Sequence, residues 1–105
     1  MSKSILATTK GVCFICGRHT FTEKHHIFGG VANRRLSEED GLWVYLCHDH
    51  HNRPPDGVHF NKENMERLHV AGQSRWEMVK LIQDDSMTDE EVRSAFMERY
   101  GKNYL

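Results

Sequence analysis

The stretch that decides the fold is Leu42-Trp43-Val44-Tyr45-Leu46-Cys47-His48-Asp49-His50-His51. Its first half is apolar, β-branched and aromatic, the composition of a buried strand over 42–46. Its second half packs one cysteine and three histidines into five residues, too many metal ligands for an ordinary strand-to-helix turn. Cys47 and His50 form a C-x-x-H pair, a spacing that lets two side chains reach one ion from a single turn. His51 follows directly, and in a helical turn the next residue points about 100° away. One short element therefore serves two different sites, and the rest of the chain supplies the partners.

Toward the N-terminus, Gly11-Val12-Cys13-Phe14-Ile15-Cys16-Gly17 reads as a zinc knuckle: two thiols across a tight turn, then a glycine that reverses the chain. Alone, a C-x-x-C fits two buried cysteines acting as small apolar residues. With the C-x-x-H pair it makes a closed Cys3His tetrahedron, and Cys13, Cys16, Cys47 and His50 are the expected ligands of a structural Zn2+. A thioredoxin-type redox role needs a βαβ context that the sequence lacks. Three cysteines also argue against a disulfide framework, because an odd count leaves one thiol over.

The chain has 105 residues, 38% of them hydrophobic and 28% charged, enough for one small domain with a thin core that needs a staple. No apolar run is long enough to span a membrane, and Met1 to Ala7 lack the apolar centre of a signal peptide, so a cytoplasmic setting is expected. The formal charge of −1 hides an asymmetry: residues 1–36 carry six basic side chains and one acidic, and the remainder eight basic and fourteen acidic. The basic third surrounds a histidine pair and suits an anionic polymer, or is simply solvated.

Residues 1–10 are polar, with a start expected to fray. Phe21 to Phe28 suggests an extended segment closed by Gly29-Gly30. Arg34 to Asp40 suggests a short helical turn with Ser37 as N-cap. A brief helix over about 48–53 stops at Pro54-Pro55. A long helix over about 61–83 shows Met65, Leu68, Gly72, Trp76, Val79 and Ile82 on one face. Thr88-Asp89-Glu90-Glu91 is a capping box for a last helix over about 89–100, with Val92, Phe96 and Tyr100 inward and Gly101 as the stop.

Once the zinc ligands are removed, His25, His26, His51 and His59 are the unexplained histidines of interest. Adjacent histidines on an extended segment project to opposite sides, so one can hold a metal while the other addresses a substrate. Imidazoles from separate elements with coordination positions left open describe a catalytic metal site rather than a closed one. His19, His48 and His69 are expected to be ordinary surface or partly buried residues.

The C-x-x-C, then Lys24-His25-His26-Ile27, then a strand into Leu46-Cys47-x-x-His50-His51, resembles the HNH family of ββα-metal endonucleases. The chain is most similar to the short phage-encoded members, down to Tyr100-Gly101-Lys102-Asn103-Tyr104-Leu105; the diagnostic part spans residues 13–59. The resemblance implies an α+β fold: a small ββα-metal core with its zinc knuckle over about 9–60, followed by two helices, in a single domain. It makes His26 the general base and His25 and His51 ligands of a catalytic divalent ion, Mg2+, Mn2+ or another, with His59 a further ligand at a longer spacing than usual. Lys24, Arg34 and Arg35 become candidates for holding DNA phosphates. The family's middle Asn falls at or near residue 42, where this chain has Gly41-Leu42, so its loop-bracing role is vacant or falls to Asn33 or Asn52. The implied activity is hydrolysis of DNA phosphodiesters with one metal, leaving 5′-phosphate and 3′-hydroxyl ends. The implied setting is the bacterial host cytoplasm, as a monomer or weak dimer, with DNA and other phage proteins as partners. The alternative is a catalytically inactive zinc-binding module that binds only DNA or protein. A zinc deaminase would want H-x-E and P-C-x-x-C signatures, and neither is present.

Overall fold

Two antiparallel strands carry the histidine pair and the apolar run: β1 (Thr22–His26) and β2 (Trp43–Cys47), in register from Thr22 opposite Cys47 to His26 opposite Trp43. The computed structural model describes residues 3–105, so fraying at Met1 and Ser2 lies outside the described residues. The rest of the start is tied down. Ile5 N–H donates to the Gly41 carbonyl at 2.9 Å, the Ser4 hydroxyl donates to the Trp43 carbonyl at 2.6 Å, and Leu6 is buried.

Directly opposed residues share a face of the sheet. Glu23 and His25 stand with Val44 and Leu46, whereas Lys24 and His26 stand with Tyr45 and Trp43. The adjacent histidines therefore point to opposite faces. Strand β2 begins one residue later than expected because Leu42 still belongs to the corner: its N–H donates to the Ser37 carbonyl, and its own carbonyl accepts from Ile27 N–H.

Helix α1 (Val31–Asp40) starts three residues earlier than the sequence suggests, with Gly30 as its N-cap. Ser37 is not a cap. It is fully buried inside the helix, where its hydroxyl accepts from Phe28 N–H at 3.0 Å and donates to the Phe28 carbonyl at 3.3 Å. Helix α2 (His48–His51) is shorter than expected and lies against both strands. The following loop folds back on it through Gly57, where a Cβ would sit 2.6 Å from Arg53 N. That turn lets Val58 N–H donate to the His50 carbonyl at 2.8 Å and brings His59 beside α2.

Helix α3 (Lys62–Gln83) begins at Asn61, whose side chain accepts from Asn64 N–H. Helix α4 (Asp89–Tyr100) has the full Thr88–Glu91 capping box and the left-handed Gly101 stop, with Val92, Phe96 and Tyr100 buried. The α3 stripe holds for Leu68, Gly72 and Trp76, which are buried. Ile82 is 76% exposed, because Leu81 packs against the core at that turn instead.

Ile27 and Phe28, the two residues after the histidine pair, fasten β1 to these helices. The Phe28 ring lies 4.8 Å from Tyr100, 5.5 Å from Phe96 and 5.0 Å from Tyr104 between centroids. At Gly72 a Cβ would stand 2.9 Å from an Ile27 methyl, so only glycine lets α3 approach this closely. Asp40 closes the other side, accepting from Trp76 Nε1, Arg99 and the Tyr100 hydroxyl. Among the described residues the architecture is α+β, one two-stranded sheet with four helices. No helix among the described residues is long and apolar enough to cross a membrane.

Candidate metal centres

Two clusters of metal-ligating side chains flank α2. Cys13, Cys16, Cys47 and His50 form the first, with one ligand atom from each within 4.8 Å of the others. The knuckle is shaped by backbone bonds from Gly17 N–H to the Cys13 carbonyl at 2.8 Å and from Cys13 N–H to the Arg18 carbonyl at 3.0 Å. Cys16 Sγ lies 3.9 Å from Cys47 Sγ, and Cys47 Sγ lies 3.3 Å from His50 Nδ1. Zinc–sulfur bonds of about 2.3 Å at tetrahedral angles give sulfur–sulfur edges of about 3.8 Å, so these donors fit one zinc ion.

Two of the thiols are shifted in opposite directions. Burial pushes the Cys13 thiol up, but the N–H groups of Cys16, Cys47 and Ile15 outweigh it and hold Cys13 below the ordinary cysteine value. Cys47 moves the other way, raised by burial and by the neighbouring Cys13 and Cys16 sulfurs. Thiolates crowded together repel unless a cation sits among them.

The second cluster joins His25 from β1, His51 from α2 and His59 from the following loop. Their ring centroids lie 5.1 Å (His25–His51), 5.4 Å (His25–His59) and 5.1 Å (His51–His59) apart. Burial pushes His25 down to about 3, with His51 and His59 adding to the effect. The ring is thus neutral near pH 7, the form that ligates metals. His25 Nε2 is buried with no hydrogen-bond partner, an omission worth roughly 1–3 kcal/mol unless some other group satisfies it. A metal ion among the three rings fits that orphaned nitrogen.

Glu23, two residues before His25 and on the same face, places Oε1 3.0 Å from His51 Nδ1. An ionised carboxylate only accepts, so this contact places the hydrogen on His51 Nδ1 and leaves Nε2 its lone pair, whereas the Asn52 side-chain nitrogen, 3.0 Å from the same Nδ1, can donate to it only in the opposite tautomer. The hydrogen bond to His51 holds the Glu23 carboxyl below its ordinary value.

His26 lines the same cavity of about 630 Å³ as the three rings, together with Lys24, Arg34 and His69. On its own face of the sheet it meets α1, where His26 Nε2 lies 2.9 Å from Glu38 Oε1 and Lys24 Nζ lies 2.6 Å from the same oxygen. By the argument used for His51, Nε2 donates and Nδ1 holds the free lone pair. Lys24 thus has a carboxylate partner and sits 4.3 Å over the Trp43 ring. Arg34 and Arg35 share a shallow exposed surface with His26 and Val31, and Arg35 pairs with Glu39 at 3.0 Å.

Leu42, where the bracing Asn was expected, is fully buried and apolar. Asn33 donates to the Tyr100 carbonyl, and Asn52 to Glu23 Oε1. The corner after His26 is held instead by the Leu42 backbone and the Ser37 hydroxyl. Sequence reasoning missed both carboxylates. Glu23 was within reach, since E-x-H on a strand puts the two side chains on one face; Glu38 comes from another element and leaves no local signal. The chain matches no protein-family model, no curated protein and no solved structure.

Proposed function

We propose that the protein is a metal-dependent DNA endonuclease of the HNH kind, in which His25, His51 and His59 hold a catalytic divalent ion and His26 is the general base. The observation that carries this reading is the convergence of three imidazoles from three elements, one with an orphaned buried nitrogen, in a cavity that His26 also lines. The Cys3His cluster on the other side of α2 is the structural counterpart, a closed zinc site that substitutes for a larger core.

A phosphodiester repels hydroxide, so the attacking water must lose its proton in place. His26 accepts that proton at Nδ1, because Glu38 engages Nε2. Glu38 fixes the ring and offsets the positive charge that the ring gains. Glu23 does the same for the orientation of His51. Arg34 and Arg35 on the rim, with Lys24 behind them, supply positive charge for backbone phosphates. When bound, the divalent ion offsets negative charge growing on the phosphate oxygens and the leaving oxygen.

Incubating supercoiled plasmid with the zinc-loaded protein and added Mg2+ or Mn2+ tests the reading. Nicked or linear DNA carrying 5′-phosphate ends, absent with His26→Ala, is the expected result. No cleavage with any divalent ion, together with retained DNA binding, would leave the inactive zinc module as the correct account.

A further inference from the structure

We propose that a second groove, beside His59, receives an unpaired nucleobase of the DNA, so that the preferred substrate carries an unstacked nucleotide next to the phosphate being cut. The identity of the polymer rests on the nuclease reading above. The groove has a volume of about 740 Å³ and runs between residues 58–62, the first half of α3 and the segment after α4. It continues directly from the histidine cavity, since His59, Met65 and His69 line both.

Its lining is aromatic and cationic. Phe60 is 59% exposed and touches the groove one residue after the candidate ligand His59. Across from it, His69 and Tyr104 lie 4.5 Å apart between centroids, and Lys102 Nζ sits 5.1 Å over the Tyr104 ring. Lys62 and Lys102 outnumber the single carboxylate, Glu66, which Lys62 approaches at 3.9 Å. Flat rings with cations at the rim form a stacking platform for a base and its phosphate.

This wall is pre-formed. Gln73, fully buried in α3, accepts from Tyr104 N–H at 2.7 Å and donates to Asn103 Oδ1 at 2.9 Å. A base inside a duplex has both faces covered by its neighbours, so stacking it on a protein ring first costs unstacking of a few kcal/mol, a cost that is least for a base already freed at a flap or bubble. The side-chain amides on the lining are already engaged. Asn61 bonds the Pro55 carbonyl and Asn64 N–H, and Asn103 bonds Gln73 and Leu105 N–H.

The test uses one DNA sequence in two forms, fully paired and with a single unpaired 2-aminopurine. Parent protein should cut the bubble faster by about 5–100-fold, the worth of one base–aromatic stack. Phe60→Ala should bring that ratio close to one, and Ile82→Ala, exposed and remote, should leave it unchanged. In parallel, His26→Ala protein without added Mg2+ or Mn2+ should quench 2-aminopurine fluorescence in the bubble, and the His26→Ala/Phe60→Ala double variant should not. Absent quenching, or equal quenching by both proteins, overturns the groove whether or not DNA is cut, as does a parent ratio near one. Phe60-dependent quenching with no cleavage by the parent would uphold the groove and reject the nuclease reading.

Discussion

His50 and His51 are neighbours in one four-residue helix, yet they belong to clusters of opposite character. His50 completes a set of three sulfurs and one nitrogen, the donor number and type of a closed tetrahedral zinc site. His51 joins two other imidazoles, a set of three donors that would leave positions free for water or substrate on an ion held there. The sulfur cluster ties the knuckle at 13–16 to the end of β2, whereas the histidine cluster opens on a cavity. A turn of about 100° per residue aims two adjacent side chains of α2 at two separate clusters, which on the proposed reading separates holding from acting.

The largest effect is expected on the closed side. Cys47→Ser removes the ligand common to the knuckle contacts and the strand end. Structural zinc in small modules is worth about 10–16 kcal/mol, comparable to the whole stability of a domain at about 5–15 kcal/mol. The variant should lose its cooperative thermal transition by circular dichroism and its stoichiometric zinc by elemental analysis. A folded, zinc-free Cys47→Ser protein would show that the core stands without the staple.

On the open side, single changes should leave the fold intact and separate binding from chemistry. His26→Ala should lower single-turnover cleavage by about 10²–10⁴-fold, the usual contribution of a general base, and keep its affinity for Mn2+. His25→Ala should instead weaken Mn2+ binding, with excess metal recovering part of the rate. Swapped outcomes in calorimetric titration would mean that the two histidines exchange roles, despite the faces on which the strand register places them.

A smaller change sharpens the same contrast. Glu23→Gln weakens the carboxylate that holds His51 Nδ1, and losing such an outer-shell partner typically costs about 10–100-fold in metal affinity. Titrated calorimetrically, the variant should bind Mn2+ more weakly by that factor and retain its zinc. Unchanged Mn2+ affinity would make the Glu23–His51 contact incidental.

Features encoded in neighbouring residues were legible in the sequence, and those depending on distant ones were not. The Thr88–Glu91 box, the Asn61 start of α3 and both halves of the sulfur cluster follow from local spacing and reappear in the fold. Ser37 misled because a hydroxyl ahead of acidic residues looks like an N-cap. Its partner, the Phe28 backbone, lies nine residues away, and Gly30 had already started the helix. Ile82 misled because periodicity says which residues share a face but not where the neighbouring surface ends. His59 was a ligand candidate at an unusual spacing; the tight turn at Gly57 folds the extra residues away and brings its ring to His25 and His51. Glu38 was invisible because its carboxylate reaches His26 from a different element.

The most direct test of the central claim is a pair of adjacent substitutions, His50→Ala and His51→Ala, each examined for zinc content after purification and for Mn2+ binding by calorimetry. Parent protein should hold one equivalent of tightly bound zinc and take up one further, weaker Mn2+. His50→Ala should lose the zinc and with it much of the fold. His51→Ala should keep the zinc and the fold and lose the Mn2+ site. If both variants lose the same metal, or if the parent binds only one ion in all, the histidine cluster is not an independent metal site and the division of labour within α2 is wrong.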